Sequence, residues 1–161
     1  MFRLNVFLAV KVNVLQALME EFEKERNGDI IHHSIKSIID MILKFKHSAN
    51  DDTDFYKELE EMLVKETSRY YSLKGAEYLK EYTCAEYLQT VENIVEQEKF
   101  RIEKYMPESS FDRYLIVIQD ELLIKNINLV FEKPTGIQHI LQNHIVKDMK
   151  LIYKLYRPLQ K

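Results

Sequence analysis

Apolar residues recur along most of the chain at spacings of three and four, the period of a helix with one buried face. Leu15, Leu18, Met19 and Phe22 set this stripe in a first helix over 4–26. Ile35, Ile38, Ile39, Ile42 and Leu43 set it in a second over 33–46. A long third helix over 54–82 carries Phe55, Leu59, Met62 and Leu63, then Tyr70, Leu73, Tyr78 and Leu79. A fourth over 84–106 carries Tyr87, Leu88, Val91, Ile94, Val95, Ile102 and Tyr105. Its opposite face collects Glu92, Glu96, Glu98, Lys99, Arg101 and Lys104, read as a solvated surface.

A fifth helix, capped by Ser109 or Ser110 and running to 131, is apolar nearly all round, from Leu115 through Val130. Such a helix belongs at the centre of a bundle, covered by its neighbours. Short helices over 137–143 and 146–156 follow, and Pro158 stands just beyond. The stretch from Leu4 to Val14 alternates apolar and polar residues, the strand period. A helix is favoured there because no second strand is present to pair its backbone groups.

The breaks between these elements have chemistry of their own. Asn27-Gly28-Asp29 offers the left-handed residue that ends many helices. His47 to Asp52 is a polar loop, with Asp51, Asp52 or Thr53 positioned to cap the third helix. Thr83 followed by Glu86 is a capping box for the fourth. Gly75, inside the third helix, marks a bend or a close crossing. The long rods, roughly 30–40 Å each, pack as an elongated all-α multi-helix bundle of about six or seven helices.

Composition narrows the function classes. Only three Gly and three Pro occur in 161 residues, too few for the turns of a β-sandwich or the glycine-rich loops of a doubly wound fold. The net charge is −3, from 23 Lys and Arg against 26 Asp and Glu, with the signs intermixed. Nucleic-acid binding wants a clustered basic face, and none is present. No apolar run is long enough to span a membrane, and the first ten residues lack the cleavage signature of a secretory leader. The single cysteine, Cys84, excludes an internal disulfide and fits a reducing compartment.

Candidate chemistry is sparse. His32 and His33 are adjacent and His139 and His144 are five apart, so neither pair shares a helix face for a metal. His144 and Asp148 are four apart, a spacing that suits a surface contact better than a metal site. Cys84 opens a helix, where the dipole can lower a thiol pKa, yet no histidine lies near it and a small apolar filler is the better reading. Glu20-Glu21 and Glu58, Glu60 and Glu61 read as solvated faces. Tyr70-Tyr71, Tyr153 and Tyr156 are candidate partner anchors, weighed against rings tucked at bundle edges. No catalytic, cofactor-binding or metal-binding residue is assigned, and no cofactor is expected.

The fourth helix, from Glu86-Tyr87-Leu88 through Gln97-Glu98-x-x-Arg101-Ile102-x-x-Tyr105-Met106, resembles the helical repeat of cullins, the scaffolds of multisubunit ubiquitin ligases. Ser109-Ser110 and Glu121-Leu122-Leu123-Ile124 are similar to the turn and helix end that follow in that family. Upstream, Phe55-Tyr56-x-x-Leu59, Thr67-x-x-Tyr70-Tyr71 and Glu23-Lys24-Glu25-Arg26-Asn27-Gly28 resemble its preceding elements. Downstream, Asp148-Met149-x-x-Ile152-Tyr153-x-Leu155-Tyr156 resembles the next. The match runs from Leu15 to Arg157; Pro158 replaces a usual Arg, Asn126 a common His, and the residues before Leu15 match poorly.

The resemblance implies the second repeat of an N-terminal stalk over 1–133 and the start of the third over 134–161. It implies a non-catalytic scaffold in ubiquitin-dependent protein degradation, cytoplasmic or nuclear, with protein partners and neither nucleic acid nor membrane. In the family, the adaptor binds the first repeat and the RING subunit binds a C-terminal domain; these 161 residues encode neither region. Two other readings stand beside it. One is a truncated cullin-like protein that competes for partners or has no ligase role, which pull-down of an adaptor or RING subunit would distinguish. The other is an unrelated helical enzyme with a metal or carboxylate site, which stoichiometric zinc or iron in the purified protein would reveal.

Overall fold

The computed structural model describes residues 2–29, 34–46 and 55–159. Among these residues the backbone forms eight α-helical segments and no strand. They are α1 (Phe2–Arg26), α2 (Ser34–Lys46), α3 (Phe55–Glu81), α4 (Cys84–Tyr105), α5 (Phe111–Gln119), α6 (Ile127–Phe131), α7 (Ile137–Gln142) and α8 (Val146–Tyr156). The predicted fold class holds, with one more helical segment because the expected fifth helix divides. The expected cap residues and loop over 47–54, and the expected first residue of the second helix, His33, lie outside the described residues.

The alternating stretch near the N-terminus is helical, as expected. A helix closes its own backbone hydrogen bonds, and the alternating valines then fall on different faces. Val10 and Val12 are exposed, whereas Leu15, Leu18 and Phe22 are buried. The helix ends in a Schellman motif: Asp29 N–H donates to the Lys24 carbonyl at 3.0 Å and Gly28 N–H to that of Glu25 at 3.1 Å. Gly28 has φ +93°, which glycine adopts without the penalty a Cβ brings.

α4 begins as its sequence predicts. Thr83 Oγ1 accepts from the Glu86 N–H, and the Glu86 carboxylate accepts from the Thr83 N–H at 2.9 Å. That exposed carboxyl is held below its ordinary range by these bonds. At the other junction the expectation fails. No serine side chain caps α5; a 3-10 turn, Glu108–Ser110, leads into it, and buried Ser110 bonds the Tyr56 hydroxyl at 2.8 Å instead.

The core is one cluster contributed by α1 to α6 and extended by α7 and α8. α5 packs against α3 and α4, and α8 against α4. Val91, Ile118, Leu122 and Leu123 are fully buried, and Ile94 packs against them. The expectation of a fifth helix covered on every side is corrected: Ile116, Ile124 and Leu129 are exposed, because α3 and α4 cover only one side of it. Met62 and Leu73 on α3 are likewise exposed.

The expected helix over 110–131 is interrupted by a π-helical turn at Asp120–Ile124, where Lys125 N–H donates five residues back to the Asp120 carbonyl at 3.0 Å. The break at Pro134-Thr135-Gly136 is observed. Gly136 has no room for a side chain, since a Cβ would stand 2.1 Å from the Phe131 carbonyl oxygen.

Candidate functional site: a buried clasp of three helices

Three helices each send polar side chains to one buried point. Arg26 is the last residue of α1. Thr67, Tyr70 and Tyr71 share a face of α3, and Glu98 and Arg101 share a face of α4, at the three- and four-residue spacing that makes helix neighbours. Glu98 is 2% exposed and Arg101 8%. This corrects the sequence reading, which placed both on the solvated face of the fourth helix. The correction has a simple cause: helix α1 ends over that face of α4 and covers it.

Arg26 Nε donates to Glu98 Oε1 at 3.1 Å, and its Nη2 donates to Thr67 Oγ1 at 3.2 Å and to Glu98 Oε2 at 3.4 Å. The Tyr71 hydroxyl donates to Glu98 Oε1 at 2.6 Å, and Arg101 Nη1 donates to the same oxygen. The Arg26 guanidinium also lies 4.9 Å from the Tyr70 ring centre and 5.3 Å from that of Tyr71, close enough for cation–π attraction. Glu25 stands 3.8 Å from Arg101 and 4.0 Å from Lys104.

The electrostatics suit a structural clasp. Burial alone would raise the Glu98 carboxyl, but the charges of Arg26 and Arg101 and the bonds from Arg26 and Tyr71 outweigh it and hold the group below its ordinary 4.5. Burial and the neighbouring carboxylate push the Tyr71 phenol well up. Glu98 therefore stays ionised and Tyr71 stays protonated near neutrality. A general base needs a pKa near the working pH, and Glu98 is tuned the other way.

A second buried knot holds the π-helical turn. Such a turn leaves carbonyls without their usual partners. The Tyr87 hydroxyl donates to the Leu122 carbonyl at 2.6 Å, and Asn126 Nδ2 donates to the Glu121 carbonyl at 2.9 Å and to the Tyr87 oxygen at 3.0 Å. Burial pushes the Tyr87 phenol up to about 12. Buried Glu121 accepts from Ser68 at 2.5 Å and from Lys125 at 2.6 Å. Gly75 of α3 crosses here: an added Cβ would lie 2.9 Å from Asn126 Nδ2. Of the two readings of Gly75, a close crossing is the one observed.

The remaining sequence candidates do not converge. His139 and His144 are exposed, and His32 and His33 lie outside the described residues. No metal-type cluster of three His, Cys, Asp or Glu occurs among the described residues. Cys84 is fully buried, its backbone N–H donating to Thr135 Oγ1 at 3.0 Å, and burial pushes its thiol up rather than down. Glu58 pairs with Lys11, Glu60 with Arg113 and Glu21 with Lys24. Of the candidate aromatic anchors, Tyr71 and Tyr156 are buried, Tyr70 is half-buried against Arg26, and only Tyr153 is exposed.

Three of the matched segments, 23–28, 67–71 and 97–101, are therefore the three sides of one clasp. Comparison with known proteins extends the likeness. A family model described as the cullin alpha solenoid domain matches residues 1–161, including the stretch before Leu15 that the motifs left unmatched. "Putative cullin-like protein 2" of Arabidopsis thaliana is 23% identical over 97% of this chain and 42% of its own length. "Cullin-2" of Caenorhabditis elegans is 26% identical over 91% of the chain, and "Cullin-4A" of Homo sapiens is 24% identical over 91%. The chain spans only 20% and 18% of those two relatives. A solenoid of helices that matches over its whole length, and whose matched motifs meet in one buried clasp, leaves a single assignment: the chain belongs to the cullin family.

Proposed function

We propose that this chain is a non-catalytic segment of the stalk of a cullin-type ubiquitin ligase, serving ubiquitin-dependent protein degradation in the cytoplasm or nucleus. The observation that carries the reading is the family match over residues 1–161. The clasp supports it. A spacer works by holding two distant machines at a set separation, which raises the encounter of their reacting groups. The clasp joins α1, α3 and α4 at one buried point, which suits a spacer of fixed geometry.

Residues 1–133 form one repeat of this stalk and residues 134–161 begin the next. The turn at Pro134-Thr135-Gly136 supports that boundary, and α8 docks back on the first unit through Lys154–Glu92 at 2.6 Å and Tyr156 against Phe131. In solenoids each repeat contacts its neighbour in this way. Partners of the whole ligase, adaptor and RING subunit, bind elsewhere on the family scaffold, so neither should be pulled down by these residues alone.

The test is a graft. The 161 residues replace the matching stretch of a full-length cullin, and ubiquitin transfer to a bound substrate is measured. Transfer should persist. A graft that folds and binds adaptor and RING subunit but transfers nothing would sink the spacer reading.

A further inference from the structure

The charges that intermix along the chain as a whole separate at the repeat boundary. Residues 1–133 hold 18 Lys and Arg against 25 Asp and Glu, a net −7, whereas residues 134–161 hold five against one, a net +4. The structure gathers most of that positive charge on one surface. At about 100° per residue, Lys147, Lys150, Lys154 and Arg157 fall within one arc of α8, together with Val146 and Tyr153. All six are exposed, and no carboxylate shares the arc. Arg157 caps α8 and keeps helical backbone angles, and the opposite face buries Leu151, Leu155 and Tyr156. A basic face is thus clustered in space, which corrects the sequence reading that found none.

The surplus survives a count of the neighbours. α4 packs alongside and offers Glu92, which Lys154 reaches at 2.6 Å, and Glu96, which pairs with Lys99 at 3.1 Å. Asp148 is half-buried near Cys84 and Lys133. Six cations then stand against three carboxylates, a surplus of three. Among the described residues no ion pair involves Lys147, Lys150 or Arg157. The cleft of about 510 Å³ beside the clasp has no such surplus: Glu20, Glu23, Glu66 and Glu98 line it against Arg26, Arg69 and Arg101.

Tyr153 stands in this stripe 61% exposed, its ring centre 5.3 Å from the Arg157 guanidinium, and Val146 is 57% exposed. Exposed Tyr and Arg together are the residue types that anchor interfaces. Another helix of the solenoid would find little to bury here, since four cations resist desolvation. From Lys147 to Arg157 the stripe is about 15 Å long, which an extended segment covers in about five residues. The net −7 of the first 133 residues opposes a nucleic acid or an anionic bilayer, whose charge reaches past the stripe. A short acidic segment stays within it.

We propose that the exposed face of α8 docks a short acidic peptide segment of a partner protein, with one aromatic or aliphatic residue among its carboxylates. The carboxylates pair with Lys147, Lys150 and Arg157. The apolar residue rests on Tyr153 and Val146.

The probe is the peptide acetyl-Glu-Glu-Glu-Phe-Glu-Glu-Glu, titrated into the chain and followed by amide NMR. It should give saturable shifts centred on α8. A version with Gln for every Glu should bind at least about tenfold more weakly, and one with Ala for Phe at least about threefold more weakly. Lys150→Glu with Arg157→Glu should weaken binding at least about tenfold. Lys65→Glu with Lys80→Glu, the same change of charge at exposed sites on α3, should weaken it less than about twofold. All four side chains are exposed, so both double variants should melt near the wild type. Equal weakening by the two double variants, Gln or Ala peptides that bind as tightly as the parent, tighter binding of oligo-dT or of phosphatidylserine vesicles, shifts centred away from α8, or no saturable shift would each overturn the proposal.

Discussion

Arg26 and Glu98 are 72 positions apart and form a buried ion pair at 3.1 Å that fastens the last turn of α1 to the middle of α4. A buried pair of this kind adds little net stability against a well-packed apolar replacement, yet removing one partner alone is costly. Glu98→Ala takes from the buried Arg26 guanidinium its carboxylate partner and from Arg101 one of its two, and should cost about 3–5 kcal/mol, read from the urea midpoint. The triple replacement Arg26→Met, Glu98→Leu, Arg101→Met should recover most of that loss. If Glu98→Ala melts like the wild type, the clasp does not hold the helices.

The same carboxylate makes a pH prediction. Its folded pKa lies below the ordinary 4.5, so the folded state favours the ionised form. The stability from Glu98 is then fully present above about pH 4.5 and is lost as the pH falls through the lower, folded value. Glu86 and Glu92 are shifted in the same direction, so the diagnostic quantity is a difference. The gap in unfolding free energy between wild type and Glu98→Gln should narrow as the pH drops below 4.5. A gap that stays constant from pH 7 to pH 3 would contradict the assignment.

At Gly75 two effects oppose each other. Alanine would gain roughly 1 kcal/mol of helix propensity. Its Cβ would also come within 2.9 Å of the Asn126 amide and displace the group that caps the Glu121 carbonyl and bonds Tyr87. Freeing two buried groups costs about 1–3 kcal/mol each, so Gly75→Ala should destabilise. A double-mutant cycle with Asn126→Ala should show a coupling of about 1 kcal/mol or more. Additive effects would show that the crossing does not depend on glycine.

Two neighbouring isoleucines on α5 should behave oppositely. Ile118 is fully buried and Ile116 is 63% exposed. Ile118→Asp puts a charge into the core without a partner and should unfold the chain at room temperature, seen as loss of helical circular dichroism. Ile116→Asp should shift stability by no more than about 0.5 kcal/mol. An Ile118→Asp protein with an unchanged melting curve would displace α5 from the core.

Much of this architecture is legible from sequence because it is local. The capping box at Thr83 and Glu86 and the turn at Gly28 use residues within a few positions of each other. The clasp is not local. Glu98 and Arg101 have the spacing of an exposed ion pair, and only the distant end of α1 turns that face inward. The apolar run from Leu115 to Val130 misleads for the same reason, since composition cannot tell a helix covered on all sides from one that leaves Ile116 and Leu129 uncovered. The π-helical turn has no strong sequence signal; its supports, Tyr87, Asn126 and Gly75, come from three different elements. The cleft beside the clasp depends on side-chain placement alone.

The chain's single cysteine is sealed beneath the start of α4, with its thiol pushed up by burial. An alkylating reagent reaches such a thiol only when its surroundings open, so the labelling rate reports how often, or how much of the time, that site is open. Cys84 is therefore a natural stopwatch for local unfolding. Labelling rates across a urea series would show whether the start of α4 opens by itself or only when the whole chain comes apart.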